Sequence, residues 1–267
     1  MRAYVYLTAV CLLSVPVAIG QSKPELSAEA EARAVALFDR ASACDDDDIY
    51  CQVTNYSKAI ELHPGFSQAY NNRGTAFKLS GDLERALRDY SRAAEIDPKF
   101  TQALYNRAVV LLARGDAAGA VRDFDAAIAV SPELFLSYVG RGNALLKLFR
   151  LERAAADFDT AIRIEPRFAG SYYGRGLARL YNNDCDRAAS DFGKVIELDP
   201  GFAFAYLNRA LCLERSDRIT SALADVDKFV ELSPNDPRGY SARARLFDKL
   251  GNTRRAEADR RRASGFE

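Results

Sequence analysis

Six prolines recur at intervals of 34 residues, and this spacing constrains the fold more than any other feature of the chain. They are Pro64, Pro98, Pro132, Pro166, Pro200 and Pro234. A fixed period of this length is typical of a solenoid, in which one supersecondary unit is repeated and each copy packs against the next. The period predicts one elongated array, whereas the length of 267 residues alone would suggest one or two globular domains.

One unit, residues 67–100, contains two apolar-periodic segments separated by a break. Tyr70 and Phe77 are seven residues apart, which places them on one face of a helix. Gly81 then interrupts the pattern, because glycine favours a helix C-terminus and the aspartate after it caps the next helix. The second segment ends before Pro98, since the residue preceding proline is disfavoured in the helical region. Each unit is therefore predicted to be a helix, a tight turn, a second helix and a short link.

Three positions of the unit hold the same kind of residue in every copy, and a fourth does so in most copies. Counted from Ser67 as position 1, position 4 is large, position 8 is small, position 20 is alanine and position 24 is mostly aromatic. Position 24 is Tyr90, Phe124, Phe158, Phe192 and Val226, with Arg260 in the last, incomplete unit. Large side chains at 4 and 24 that face small ones at 8 and 20 favour close packing of the two helices of a hairpin.

This pattern, together with proline at position 32, resembles the tetratricopeptide repeat family. The resemblance extends from about Arg33 to the C-terminus. It implies an all-α, right-handed superhelical solenoid of antiparallel helix hairpins, with divergent terminal units that face solvent. The implied segments are an N-terminal cap with a degenerate first repeat (21–66), five repeats (67–100, 101–134, 135–168, 169–202 and 203–236) and a C-terminal capping hairpin (237–267).

Two charged positions depart from the family pattern in the same way in all six units. Position 7, usually leucine in the family, is always arginine, and position 23 is always aspartate. We expect each arginine to pair with the aspartate of its own hairpin and so to join the two helices. Six identical pairs favour a structural role over a catalytic one. The residues are Arg73, Arg107, Arg141, Arg175, Arg209 and Arg243, with Asp89, Asp123, Asp157, Asp191, Asp225 and Asp259.

Residues 1–20 differ in composition from the repeats. Arg2 precedes an apolar run that ends in small residues before Gly20, an order typical of a secretory signal peptide. We expect cleavage after Gly20 and a secreted or periplasmic mature protein, in the periplasm or cell envelope of a bacterium, without an integral membrane span. The alternative is an uncleaved N-terminal helix that anchors the protein to a membrane, although the run is short for a span and contains Pro16.

Four cysteines remain after residues 1–20 are removed, and an even number in an exported chain permits two disulfides. Cys44 and Cys51 flank an acidic turn. On one continuous helix their Cα atoms would lie about 10 Å apart, too far for a bridge, so a bridge requires the turn. Cys185 and Cys212 occupy apolar packing positions in adjacent repeats, where either a bridge or two free thiols fit.

Composition gives no support for catalysis. Net charge is zero, which favours neither nucleic acid nor a membrane surface, and the single histidine, His63, lies in a link between repeats. The four consecutive aspartates at 45–48 lack the spacing and the glycine of a calcium loop. No nucleophile motif, metal-ligand spacing or phosphate-binding loop is present. The sequence therefore predicts no enzymatic activity, no metal, no cofactor and no nucleic-acid partner.

The family resemblance also implies where a partner protein binds. In the family, positions 2, 5, 6, 9, 12 and 13 of the first helices point into a concave groove. In this chain the implied groove is polar in its first repeat and apolar from Tyr105 to Leu211, and an exposed apolar stripe of that length indicates a protein site. The alternative is that tighter curvature or a neighbouring segment covers the stripe. The implied groove residues are Asn72, Tyr105, Asn106, Val109, Leu112, Val139, Asn143, Leu146, Tyr173, Leu177, Leu207, Asn208 and Leu211.

A carboxylate clamp known in some relatives is incomplete here. Those relatives hold a peptide's terminal carboxylate with asparagine at position 6 of two successive repeats and with basic residues around them. Asn72 and Asn106 match the two asparagines, but Gln68, Leu136 and Gly140 stand where basic residues are needed. We expect the asparagines, Asn208 included, to hydrogen-bond the backbone of an extended peptide instead.

Together these features predict an exported protein-interaction scaffold that presents a preformed groove to an extended peptide or a helix. Two alternatives remain at this point. One is a structural protein of the cell envelope that associates with itself through an open repeat end. The other is a non-catalytic regulatory subunit of an envelope enzyme. The sequence does not determine the oligomeric state.

Overall fold

The structure, a computed structural model, describes residues 27–265 and is an all-α repeat array, as predicted. The predicted signal peptide lies outside the described residues. Within this range the chain forms seven successive antiparallel helix hairpins. The hairpins are α1 (Ala28–Ser42) with α2 (Ile49–Leu62), α3 (Ser67–Leu79) with α4 (Leu83–Ile96), α5 (Thr101–Ala113) with α6 (Ala117–Val130), α7 (Phe135–Lys147) with α8 (Leu151–Ile164), α9 (Ala169–Tyr181) with α10 (Cys185–Leu198), α11 (Ala203–Arg215) with α12 (Ile219–Leu232), and α13 (Pro237–Lys249) with α14 (Thr253–Ser264).

The tight turn inside a hairpin depends on one residue with positive φ followed by a helix cap. Gly81 and Gly115 adopt φ values of 82° and 88°, a region that glycine enters without steric cost. The next residues, Asp82 and Asp116, each accept a hydrogen bond from a backbone N–H in the first turn of the second helix. The turn chemistry read from the sequence therefore sets the start of these second helices.

The core is built from aromatic rings of the second helices, each held between two first helices. Phe158 of α8 is fully buried. A Cβ atom added at Gly142 of α7, in the same hairpin, would lie 2.8 Å from this ring, and one at Gly174 of α9, in the next hairpin, would lie 2.3 Å from it. The small residues therefore allow both neighbouring helices to approach the ring at van der Waals distance.

All six predicted arginine–aspartate pairs are confirmed. Each arginine donates from Nε and Nη2 to the carboxylate of its own hairpin, with donor–acceptor distances from 2.6 to 3.2 Å. This bidentate geometry is the strong form of a charged hydrogen bond. The aspartates are buried, so the pair couples the two helices of the hairpin away from bulk water.

The array bends with its first helices on the inside. Helix α3 contacts α5, α5 contacts α7, and α7 contacts α9, whereas the second helices α4, α6, α8 and α10 make no comparable contact with one another. Elements that approach each other across a repeat lie on the shorter, concave side of the curve. From α3 to α9 the first helices therefore supply the inner surface, and α11 and α13 are the first helices of the hairpins that follow.

The two cysteine pairs differ in whether they form a disulfide. Cys44 and Cys51 are joined across the acidic turn between α1 and α2, with their Cα atoms 6.1 Å apart. Cys185 and Cys212 are free thiols, so the bridge considered for them is not formed. Cys212 is buried among the apolar side chains of α9, α10 and α11, and Cys185 packs against the same cluster. The pair therefore fills the core between adjacent hairpins as two thiols.

Candidate functional site

The apolar groove residues form a half-buried strip on the inner surface. Tyr105, Val109 and Leu112 pack against the core around Phe124, and Leu177 packs against the core around Phe192. Each keeps part of its side chain accessible. The strip continues through Val139, Leu146, Tyr173, Leu207 and Leu211, which are also half-buried. The side chains of the strip are therefore neither fully buried by the protein nor fully exposed to solvent.

Two tyrosines are the largest side chains of this strip. The ring of Tyr105 lies 5.7 Å from that of Phe124, and the ring of Tyr173 lies 4.7 Å from that of Phe202. Burial raises the pKa of both tyrosine hydroxyls above the ordinary range. For Tyr173 a hydrogen bond from Asn208 acts in the opposite direction and only reduces the shift. Both phenols therefore stay neutral at physiological pH and present apolar faces.

The asparagines expected to guide a peptide are instead engaged with the protein itself. Asn106 is buried and its amide donates to Oδ1 of Asn71 at 3.0 Å. Asn71 in turn donates to Asn72 at 3.0 Å, and Asn72 donates to the hydroxyl of Tyr56 at 3.4 Å. This network runs from α2 through α3 to α5. The hydrogen bonds of Asn72 and Asn106 therefore connect neighbouring helices, and a role for these two residues in binding a ligand stays a prediction.

Asn143 and Asn208 differ in whether the side-chain amide has a hydrogen-bond partner within the described part of the chain. Asn208 donates to the hydroxyl of Tyr173 at 3.0 Å, so it too has an internal partner. Asn143, on α7, is exposed and makes no side-chain hydrogen bond among residues 27–265. Of the four predicted asparagines, Asn143 alone presents a free amide to the inner surface in the described part of the chain.

Glycines at position 6 leave the middle of the strip without a side chain at that position. A Cβ atom at Gly140 would lie 2.3 Å from the Phe124 ring, and one at Gly174 would lie 2.3 Å from the Phe158 ring. No basic side chain can occupy these positions without displacing a core ring. The packing therefore explains why position 6 of the third repeat, Gly140, does not supply a basic residue of the carboxylate clamp.

The strip ends in a cavity of about 450 Å³ between α11 and α13. Its apolar wall includes Leu207 and Leu211, and its polar rim includes Glu214, Arg238 and Arg245. The guanidinium of Arg238 lies over the ring of Phe204, 4.6 Å from its centroid, and is also held by Asp236. A concave apolar space with a few fixed polar groups has the form of a ligand-binding site.

One buried carboxylate organises this end of the strip. Glu214 is 8% exposed and accepts two hydrogen bonds from Nε of Arg245 and one from its Nη2. Lys249 lies 3.1 Å from the same carboxylate. Burial opposes ionisation, but the two cations outweigh it and lower the pKa of Glu214. With Arg238 and Asp236 included, the rim carries more positive than negative charge.

The sequence matches signatures described as Tetratricopeptide repeat over residues 67–100, 105–171 and 173–237. The chain belongs to the tetratricopeptide repeat family. Members of this family generally act as scaffolds for protein–protein interaction rather than as enzymes.

Known proteins of the tetratricopeptide repeat family resemble this chain in fold more than in sequence. A structure of a tetratricopeptide repeat protein from Parabacteroides merdae ATCC 43184 superposes with a TM-score of 0.67, with 21% identity over 88% of this chain and 93% of that one. YrrB, described as a TPR protein with an unusual peptide-binding site, gives a TM-score of 0.60 and 25% identity over 69% of this chain and 95% of its own. Tetratricopeptide repeat protein 36 of Xenopus tropicalis is 39% identical over 51 residues, which are 19% of this chain and a quarter (25%) of that relative.

The charged rim of this tetratricopeptide repeat protein was missed by reasoning from sequence. The signal was a paired departure in adjacent repeats: Glu214 stands where other units have Leu112, Leu146 or Leu180. In the following unit Arg245 stands where Leu177 and Leu211 occur. Two opposite charges at apolar positions of neighbouring units indicate a salt bridge across the repeat boundary.

Within residues 27–265 there is no cluster of side chains arranged to hold a metal ion.

Proposed function

We propose that this protein is an exported, non-catalytic scaffold that binds an extended peptide or an amphipathic helix along its inner surface. The observation that carries the proposal is the half-buried apolar strip from Tyr105 to Leu211, which continues into the cavity beside Glu214. A partner laid along the strip would complete the burial of its side chains. Full burial of an exposed aliphatic or aromatic side chain contributes about 1.5–3 kcal/mol, and these half-buried side chains would gain the remaining part of that amount.

The cavity supplies a place for one anchoring side chain of the partner. Interfaces depend on a few such anchors in well-packed pockets. Leu207 and Leu211 would contact an apolar anchor, while Arg238 on the rim would favour a partner with an acidic residue nearby. The peptide-binding site of YrrB, a protein of similar fold, adds support for a peptide as the ligand.

Export is the second part of the proposal. It rests on the apolar N-terminal run and on the Cys44–Cys51 bridge, because disulfides persist in oxidising compartments. Mass spectrometry of the N-terminal peptide of the protein recovered from the periplasm should identify Gln21, or its pyroglutamate form, as the first residue. A protein that starts at Met1 and fractionates with membranes would replace the cleaved signal by an anchor. Within residues 27–265 no helix is long and apolar enough to cross a bilayer.

Site-specific crosslinking tests the inner surface as the binding site. A photoreactive amino acid at Asn143, which is exposed on the strip, should crosslink one dominant partner in intact cells. The matched control is Arg122, which is exposed on the second helix α6. Equal crosslinking from both positions, or crosslinks only between copies of this chain, would refute binding along the inner surface.

A charge placed on the strip tests the same surface by loss of binding. Asn143→Arg should reduce co-purification of the partner that crosslinking identifies at least tenfold, because it brings an unpaired charge under the bound segment. Asn235→Arg, at an exposed asparagine in the link before α13, should leave recovery unchanged. Since neither side chain is buried, both variants should keep the parent melting temperature.

A further inference from the structure

Phe149 adopts a backbone conformation that does not suit a phenylalanine. It lies in the turn between α7 and α8 with φ at 55°, in the left-handed region. Equivalent turn positions hold Gly81, Gly115 and Gly251, or the short polar residues Asn183 and Asp217. Asparagine and aspartate tolerate this region, whereas a bulky residue there is an outlier. The other turns show that the repeat does not require an aromatic residue at this position.

The turn itself closes in the same way with or without the ring. The N–H of Phe149 donates to the carbonyl of Leu146 at 3.0 Å, and the N–H of Arg150 donates to that of Leu145 at 2.9 Å. The two corresponding bonds around Gly81 measure 3.1 and 2.9 Å. The ring is also 74% exposed, so the core gains little from it. An unfavourable backbone conformation that folding does not require indicates a functional role.

The ring is part of a small apolar projection on the turn edge of the array. Leu148 is 39% exposed and Tyr181, at the end of α9, is 53% exposed. The rings of Phe149 and Tyr181 lie 6.3 Å apart between centroids. We call Leu148, Phe149 and Tyr181 the Phe149 patch. Leu148 and Phe149 lie in the turn after α7, and Tyr181 lies at the last residue of α9, so the patch adjoins the turn end of the inner surface.

Positive charge flanks the patch. Lys147 precedes it and Arg150 follows it, and both side chains are exposed. Among residues 27–265 neither forms an ion pair with an acidic side chain, and Asp184, in the turn after Tyr181, is paired with Arg187. Two free cations therefore stand beside an exposed aromatic ring.

We propose that the Phe149 patch attaches the protein reversibly to an anionic lipid surface. An aromatic ring enters the boundary between headgroups and acyl chains, while lysine and arginine remain at the phosphates. A lipid surface needs only a few such side chains. A stable protein interface buries roughly 800 Å² on each partner, which three projecting side chains do not supply. The positive charge and the small apolar area thus favour lipid over a protein partner.

Vesicle sedimentation with the purified protein tests the assignment. We expect binding to vesicles of phosphatidylglycerol and phosphatidylcholine, and much weaker binding to phosphatidylcholine alone. Phe149→Gly restores the residue of the Gly81, Gly115 and Gly251 turns, so it should lower vesicle binding about tenfold or more while the melting temperature stays equal or rises. Lys147→Gln with Arg150→Gln should remove the preference for phosphatidylglycerol.

Leu79→Gln is the matched control, since Leu79 is an aliphatic residue that is 63% exposed at the end of α3, on the same turn edge. It should bind vesicles as the parent does. Unchanged binding by Phe149→Gly, or no binding by the parent protein, would overturn the lipid assignment. Should the parent ignore vesicles while a photocrosslinker at Tyr181 captures one protein in a Phe149-dependent way, the patch is a protein-docking surface instead. Neither result bears on crosslinking from Asn143, so the groove proposal is tested separately.

Discussion

Two buried serines in the described part of the chain have hydroxyl groups without hydrogen-bond partners. Ser137 and Ser171 are fully buried, and within residues 27–265 neither hydroxyl oxygen has a hydrogen-bond partner. The equivalent position is alanine in other units, for example Ala103. Burying an unsatisfied polar group costs about 1–3 kcal/mol. The hydroxyls are therefore local defects in an otherwise apolar contact between hairpins.

Replacing Ser137 by alanine should stabilise the protein by about 1 kcal/mol, because it removes the unsatisfied hydroxyl without leaving a large cavity. Urea denaturation followed by circular dichroism measures the change. Ser42→Ala should instead destabilise the protein, because the Ser42 hydroxyl is hydrogen-bonded to the hydroxyl of Tyr56 at 3.0 Å. A loss of stability in Ser137→Ala would mean that its hydroxyl has a partner in solution.

The raised pKa of Tyr90 predicts that the protein loses stability at alkaline pH. Burial raises its pKa from 10.0 to about 12, and a hydrogen bond with Thr75 partly opposes the rise. A group with a raised pKa contributes stability that is complete below the unfolded value and is lost as pH rises through the folded value. The loss should therefore occur between pH 10 and about 12, and should reach about 1 kcal/mol at pH 11.

Tyr90→Phe should remove this part of the pH dependence, since Phe124, Phe158 and Phe192 occupy the equivalent core position elsewhere. Urea denaturation of both proteins at pH 8 and pH 11 makes the comparison. The other tyrosines titrate in both proteins and cancel in the difference. An identical decline in the two proteins would show that Tyr90 ionises without penalty in the fold.

At the scale of helices, the arginines of the first helices also connect successive hairpins. Arg141 reaches back to Asp125 and Arg175 to Asp159, one hairpin earlier. The equivalent residue before Arg209 is Gly193, in the interior of α10. The connection between α10 and α11 therefore lacks this ion pair, and α10 carries a helix-weakening glycine at the same place.

Gly193→Asp should restore the ion pair and stabilise the array. A Cβ atom at this position meets only Nη1 of Arg209, at 3.6 Å, so the space is available. Gly193→Asn is the matched control, because asparagine and aspartate have similar helix propensity. We expect the aspartate variant to exceed the asparagine variant by about 0.5–1 kcal/mol in urea denaturation at low salt. The difference should shrink in 1 M salt, and equal stability of the two variants at low salt would argue against the pair.

At the scale of the whole molecule, a repeat array divides its stability among neighbouring units. The Cys44–Cys51 bridge closes the turn of the first hairpin only. Its removal should therefore destabilise α1 and α2 by about 2–3 kcal/mol, as expected for a short closed loop, and leave distant hairpins unaffected.

Hydrogen exchange with and without reductant measures this local effect. Amides of residues 28–62 should exchange faster after reduction, while those of α11 and α12 should keep their protection. A Cys44→Ala, Cys51→Ala variant should reproduce the reduced state and no longer respond to reductant. A uniform loss of protection along the chain would instead show that the array unfolds as one unit.

The sequence alone determined the repeat, its hairpins and the arginine–aspartate pairs. These depend on short-range chemistry that recurs with the period: glycine or a short polar residue at most turns, proline at the links, and two charges 16 residues apart on facing helices. Phe149 departs from that turn chemistry, and the departure became informative only when its φ value and exposure were known.

Only the tertiary structure decided which inner residues are available to a partner. Asn106 and Asn143 are both asparagines on first helices, yet Asn71 of the preceding hairpin buries one and nothing comparable covers the other. The free thiol of Cys212 and the cavity beside Glu214 likewise depend on how closely adjacent hairpins approach. The period sets which side chains face inward, but exposure depends on contacts between residues more than 30 positions apart, and those are set by the curvature of the assembled array.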